Sequence, residues 1–288
     1  MPLDRQAAPG HDPHAPPRVG IVGGRGGIGS LFQRIVARSG AATLVSDRDT
    51  ALSNAEVAAW SDLVLVAVPL RLTPAVLTSI APSVRPDAVL VSLGSLMEPS
   101  VEPLSGRPGA SLLLHPLFGP GRPSLEGAAL AWASPTGKVV ASPHWSWLRG
   151  LLSSRGASLT HTTPEEHDRA MAAAQALMHG MAATVAPLLV EMLPGPDALH
   201  WMSPTLRLHL ALMGRILHQD PALYGDILAL NRHSIGAIDL LTARLTDLRA
   251  RVAEGPDAVA ALFSEARDAL GEAGPRFAAE GDAALGEG

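Results

Sequence analysis

Near the start of the chain, Gly24-Arg25-Gly26-Gly27-Ile28-Gly29 fits the spacing G-x-G-x-x-G. It follows a short apolar run, Arg18 to Val22, and opens a helical stretch, Ser30 to Ser39. Strand, glycine turn and helix together form the setting in which this motif binds a dinucleotide. The glycines allow a tight turn, close approach of backbone to a pyrophosphate, and close packing of helix on strand. The unpaired N–H groups and partial positive charge of the helix N-terminus then favour phosphate. Asp47 ends the next apolar run, twenty-three residues after Gly24. A carboxylate there accepts hydrogen bonds from ribose hydroxyls and repels a 2′-phosphate. Arg48 follows it and has the opposite preference. The pair favours NAD, with NADP the lesser alternative.

Composition removes several other chemistries. The chain has no cysteine, so disulfides, Cys-ligated zinc and thiol catalysis are excluded. Its eleven histidines show no metal-ligand spacing such as H-E-x-x-H, and no metal is expected. Formal net charge is −5 and no basic stretch runs through the sequence, so nucleic acid has no electrostatic footprint. No uninterrupted run of about 18 apolar residues occurs, so no membrane span is expected. Residues 1–16 lack the apolar run of a signal peptide and read as a disordered tail. These features fit a cytoplasmic protein.

The elements that must position these residues fall into two groups. Short apolar runs at Arg18 to Val22, Thr43 to Ser46, Leu63 to Val68, Ala88 to Leu93, Ser111 to His115 and Ala129 to Ala133 read as strands. Such runs alternating with helices indicate a doubly wound parallel sheet, covered on both faces. Thr73 is expected to cap the helix after the third strand, with Pro74 in its first turn. From Pro164 onward the pattern is helical: Glu165 to Val190, Leu206 to His218, Ala222 to Ala250 and Asp257 to Leu270, with Glu280 to Gly288 fraying. Several of these helices are apolar on more than one face, which suggests burial in a bundle or dimer interface. The expected organisation is a Rossmann-type α/β dinucleotide-binding domain over 17–163, followed by an all-helical substrate and dimerisation domain over 164–288.

At His115-Pro116-Leu117-Phe118-Gly119-Pro120 the sequence resembles the active-site segment of prephenate dehydrogenases. Other segments agree in order: Val22-Gly23-Gly24, Val68-Pro69, Glu166-His167-Asp168, Gln175-Ala176-Leu177 with His179, Ser203-Pro204, Arg207 through Arg215, and Gln219-Asp220-Pro221 with Tyr224. The resemblance spans roughly residues 18 to 280. It implies oxidation of a cyclohexadiene bearing two carboxylates, with hydride leaving ring C4 for the nicotinamide and the ring carboxylate leaving as carbon dioxide. His115 would take the proton of the C4 substituent, as imidazole near neutral pH suits a general base. Ser95 matches a serine that hydrogen-bonds near that substituent. Arg215 matches an arginine that binds a substrate carboxylate through its planar fork. Arg207, eight residues earlier, can face the same side of a helix. His179, Gln219 and Tyr224 are pocket candidates by position. Val68, Pro69 and Leu70 line the cofactor side. The resemblance also implies a homodimer.

The sequence departs from the family at three positions. Met97 stands where the family usually has a lysine, Met178 where near relatives have an arginine, and Ser92 where the family has an aspartate. One account is drift, with methionine filling the space of a long side chain. The other is a changed substrate, 4-amino-4-deoxyprephenate, whose C4 ammonium a neighbouring lysine would repel. Prephenate is the alternative. Arogenate, and a non-catalytic NAD-binding regulator, are further readings. A 3-hydroxyacid dehydrogenase needs a lysine in the helical domain, but Lys138, the only lysine, lies before it.

Overall fold

The computed structural model describes residues 16–193 and 202–286. The expected tail, residues 1–16, lies outside the described residues except for Pro16. The chain divides into two compact units, one ending at Arg169 and one beginning at Ala170.

The first unit holds β1 (Val19–Val22), α1 (Gly27–Ala37), β2 (Thr43–Ser46), α2 (Asn54–Trp60), β3 (Leu63–Val66), α3 (Thr73–Ile80), β4 (Val89–Ser92), α4 (Val101–Ser105), β5 (Ser111–Pro116), β6 (Ala129–Ala133), α5 (Pro143–Ser153) and β7 (Ser158–His161). It ends inside α6 (Pro164–Met171). The strands form one sheet in the order β2-β1-β3-β4-β5-β6-β7. The first five are parallel. β6 turns back antiparallel to β5, and β7 pairs parallel with β6 at the edge. The sequence did not signal β7, because its four residues are mostly exposed and carry no apolar run.

Alternation along the strands builds two cores. Leu63 and Leu65 of β3 join Ile21, Val91 and Leu114 on the face covered by α1 and α5, where Phe32, Trp145 and Leu148 pack. Val64 and Val66 point the other way, to Leu90 and Leu113, under Ala58, Leu77 and Leu104 of α2, α3 and α4. The chain leaves β1 for β2 on one side and passes to β3 on the other. That switch point, at the carboxyl ends of β1 and β3, is where doubly wound sheets bind ligands. The α1 helix begins at Gly27, three residues before the sequence pattern suggested, so the last glycines of the motif form its first turn. Thr73 does not cap α3. It is the first helical residue, and its hydroxyl donates back to the Pro69 carbonyl at 3.2 Å.

The second unit is helical: α7 (Met178–Met192), α8 (Pro204–Leu217), α9 (Pro221–Leu230), α10 (Ser234–Glu254), α11 (Pro256–Leu270) and α12 (Gly274–Leu285). Ser203 and Asp220, each followed by proline, cap α8 and α9, accepting from the N–H groups of Leu206 at 3.2 Å and Ala222 at 2.9 Å. Two expected helices are broken. A π-helical turn, Ala172–Leu177, separates α6 from α7. The expected run Ala222 to Ala250 is two helices, because the Asn231 side chain accepts the His233 N–H at 2.9 Å and turns the chain. The C-terminus is more ordered than expected, with α12 running to Leu285. By length and mean hydropathy alone, the helical run Pro164–Met192 is apolar enough to cross a membrane, with 11% of its most apolar window buried. Gln175 and His179 interrupt that window with polar side chains.

Candidate active site

The glycine-rich turn is built for a close guest. Gly23 lies at φ +78°, a region that favours glycine, and a Cβ there would sit 2.5 Å from the Ala67 carbonyl oxygen beyond β3. A Cβ on Gly29 would fall 2.2 Å from the Gly23 carbonyl oxygen, so α1 can seat on the turn only without one. Gly26, at the N-cap, offers no capping side chain, and the first turn carries no acidic residue. The N–H groups that open α1 are therefore left for a phosphate. Asp47 follows β2, and its carboxylate accepts the Arg25 N–H at 2.9 Å and the Arg48 N–H at 2.8 Å. The carboxylate is thereby fixed against the turn. The Arg25 guanidinium is drawn off to Asp49, and the Arg48 side chain is exposed. Val68, Pro69 and Leu70 follow β3 at the same switch point; Leu70 is buried, Val68 half-buried and Pro69 exposed. These residues fit a dinucleotide.

β5 delivers His115 to the same end of the sheet. All six residues of β5 are buried, and His115 is 3% exposed. Its Nδ1 lies 2.9 Å from Nε2 of His167, with the rings edge to face. His167 Nδ1 lies 2.7 Å from Asp168 Oδ1. The Asp168 carboxylate also accepts the N–H groups of Met97 at 2.8 Å and Glu98 at 2.9 Å, in the loop after β4. A carboxylate can only accept, so the network places a proton on His167 Nδ1 and a lone pair on its Nε2. His115 must then donate from Nδ1, which leaves the His115 lone pair on Nε2. Burial, and secondarily the neighbouring His167, lower the pKa of His115 to about 3. The result is a neutral imidazole with one defined basic nitrogen.

His167 and Asp168 were present in the sequence as part of a family-like segment, but no role followed from that. A local signal was available. Thr163 and Glu166 form a capping box, with Thr163 Oγ1 accepting the Glu166 N–H at 3.2 Å and Glu166 accepting the Thr163 N–H at 3.1 Å. The box starts α6 in a fixed frame and sends the next two residues inward.

Ser95 is half-buried in the loop after β4, two residues before Met97. The Met97 side chain is 1% exposed and packs in the apolar core of the α2, α3 and α4 face. Ser92 is buried at the end of β4, and its hydroxyl lies 3.1 Å from that of Ser100.

Within the second unit, four of the candidates come together. The His179 ring meets the Tyr224 ring edge to face at 4.4 Å between centroids. Burial raises the Tyr224 pKa, opposed by the charge of Arg215 and a hydrogen bond with Gln219. Gln219 Nε2 donates to the Arg215 carbonyl at 3.1 Å. Burial lowers the pKa of His179, whose Nδ1 is buried without a hydrogen-bond partner, as is Oε1 of Gln175 in the π turn. π turns recur at functional sites. Arg207 is exposed on the first turns of α8 and is not drawn into this cluster, and Met178 is 49% exposed.

Comparison with known proteins identifies the family and the fold. Residues 163–265 match the family model described as "Prephenate dehydrogenase, dimerization domain". The chain is 30% identical over 263 residues to the T-protein of Enterobacter agglomerans, covering 90% of this chain and 69% of that one. It is also 30% identical over 275 residues to the 4-amino-4-deoxyprephenate dehydrogenase of Streptomyces pristinaespiralis, covering 88% and 91%. The fold is that of the prephenate dehydrogenase of Aquifex aeolicus, crystallised with hydroxyphenyl propionate and NAD+. That structure superposes at a TM-score of 0.69 with 22% identity, covering 87% of this chain and 96% of that one.

Proposed function

Because this chain belongs to the prephenate dehydrogenase family, we propose that it catalyses NAD-dependent oxidative decarboxylation of a prephenate-type cyclohexadiene, with 4-amino-4-deoxyprephenate as the substrate and 4-aminophenylpyruvate as the product. The observation that carries this reading is the buried chain His115–His167–Asp168, which presents one neutral basic nitrogen at the ligand-binding end of the sheet.

Bound at the glycine turn, NAD supplies the acceptor for the C4 hydride. The turn holds its pyrophosphate on the N-terminus of α1, and Asp47 takes the ribose hydroxyls and repels a 2′-phosphate. His115 Nε2 accepts the proton of the C4 substituent. Burial keeps that nitrogen unprotonated, and His167, itself held by Asp168, orients it, in the manner of a base held by a third group. Ser95 hydrogen-bonds the C4 substituent. Within the second unit, Arg215 is the cation suited to a substrate carboxylate, with His179, Gln219 and Tyr224 in the cluster around it and Arg207 and Met178 outside that cluster. Loss of the ring carboxylate as carbon dioxide makes the ring aromatic.

The apolar surroundings favour the amine. Desolvation that keeps His115 neutral also disfavours an ammonium, which must lose its proton before hydride can leave C4. Met97, beside the Asp168 end of the chain, adds no positive charge where the family has a lysine. Prephenate is the second reading, favoured by the burial of Met97 in the core, where methionine simply fills space. Steady-state NADH formation with each compound separates them, and a higher kcat/KM for prephenate would overturn the amino substrate. The exposed apolar side chains of the second unit, Val190, Met192, Ile235, Val252 and Phe263 among them, are assigned to a homodimer interface.

A further inference from the structure

Beside α1, on the flank of the first unit, four arginines line one cavity of about 280 Å³: Arg34, Arg38, Arg122 and Arg155. The rest of its lining is apolar, proline, glycine or Ser124, and none of it is acidic. We infer that this cavity is a binding site for a small phosphate-class anion, separate from the dinucleotide turn and from His115.

The arginines lack the partners that would otherwise explain them. Among the described residues, none of the four makes an ion pair, in a chain of net charge −5 where carboxylates outnumber cations. Nη1 of Arg155 is buried and has no hydrogen-bond partner. Leaving a buried donor unpaired is costly, so an acceptor from outside the chain is the natural complement. The Arg122 guanidinium is already positioned. Its Nε donates to the Ser124 carbonyl at 2.9 Å, its Nη2 to the Glu126 carbonyl, and it lies over the Phe118 ring. Nη1 remains for a ligand. Arg34 in the last turn of α1 and Arg38 at its C-cap sit four apart, a like-charge spacing that disfavours the helix end. Compensation of the helix dipole accounts for these two. It does not account for Arg122 and Arg155, which approach from the loop after β5 and the end of α5. Planar guanidinium forks from separate elements match the tetrahedral, multiply charged oxygens of phosphate.

The test is calorimetric titration of pyrophosphate and of ADP into the full chain, at constant ionic strength and with NAD saturating the glycine turn. The paired variant Arg34→Gln/Arg155→Gln is titrated alongside, with its melting temperature and NAD affinity as folding controls. We expect one-site binding that the paired variant weakens at least about tenfold, with NAD binding unchanged. Equal affinity for the two probes identifies the free anion as sufficient; tighter ADP identifies a nucleotide as the source. Absence of binding, or binding unmoved in a folded variant, overturns the site.

Discussion

Three side chains order the imidazole that is proposed to take the proton of the C4 substituent. Asp168 is fixed by two backbone N–H groups, His167 is fixed by Asp168, and His115 is fixed by His167. Asp168→Asn breaks this order, because the single oxygen of an amide cannot accept from the N–H groups of Met97 and Glu98 and from His167 at once. We predict that kcat falls about 100-fold, with KM little changed and the pH profile of kcat altered, since the basic nitrogen is no longer specified. An unchanged kcat and profile would contradict the assignment. The same burial has a cost in acid. His115 titrates near the ordinary histidine value of 6.5 in the unfolded chain and at about 3 when folded. Between those values the unfolded chain binds the extra proton, so stability declines as pH falls through that window and is fully retained above it. Urea midpoints measured from neutral to acid pH should fall in wild type and fall less steeply in His115→Asn. Equal slopes would contradict a depressed His115.

Elements decide whether these residues meet. The glycine turn tolerates no Cβ at Gly29, so Gly29→Ala must push α1 off Gly23. NAD affinity, measured by fluorescence titration, should drop by more than about tenfold; wild-type affinity would show that α1 does not hold the pyrophosphate. Much of this level was legible in the sequence. The glycine spacing, the five parallel strands, Asp47 at the end of β2 and His115 at the end of β5 all follow from local pattern. What was not legible depended on distant contacts. The capping box at Thr163 was readable, but the place it sends His167 and Asp168 is set by β5 and by the loop after β4. Met97 looked like a lost pocket cation; its side chain lies in the core, which no local signal showed. The break at Asn231 and the π turn at Ala172–Leu177 interrupt helical periodicity without glycine or proline, so the pattern ran through them.

At the scale of the molecule, a sheet unit carries the glycine turn and the His115–His167–Asp168 chain, and a helical unit carries the Arg215, Tyr224 and His179 cluster. The helical unit leaves Ile235 at 74% and Phe263 at 70% exposed, more apolar surface than an isolated subunit would keep in water. Sedimentation equilibrium at micromolar concentration should report a dimer, and a monomer would contradict the interface. The most direct test of the central claim is kcat/KM for NADH formation from 4-amino-4-deoxyprephenate and from prephenate, in wild type and in His115→Asn. The account predicts a preference of at least about tenfold for the amino compound, and loss of turnover in the variant. A preference for prephenate, or a variant as fast as wild type, would contradict it.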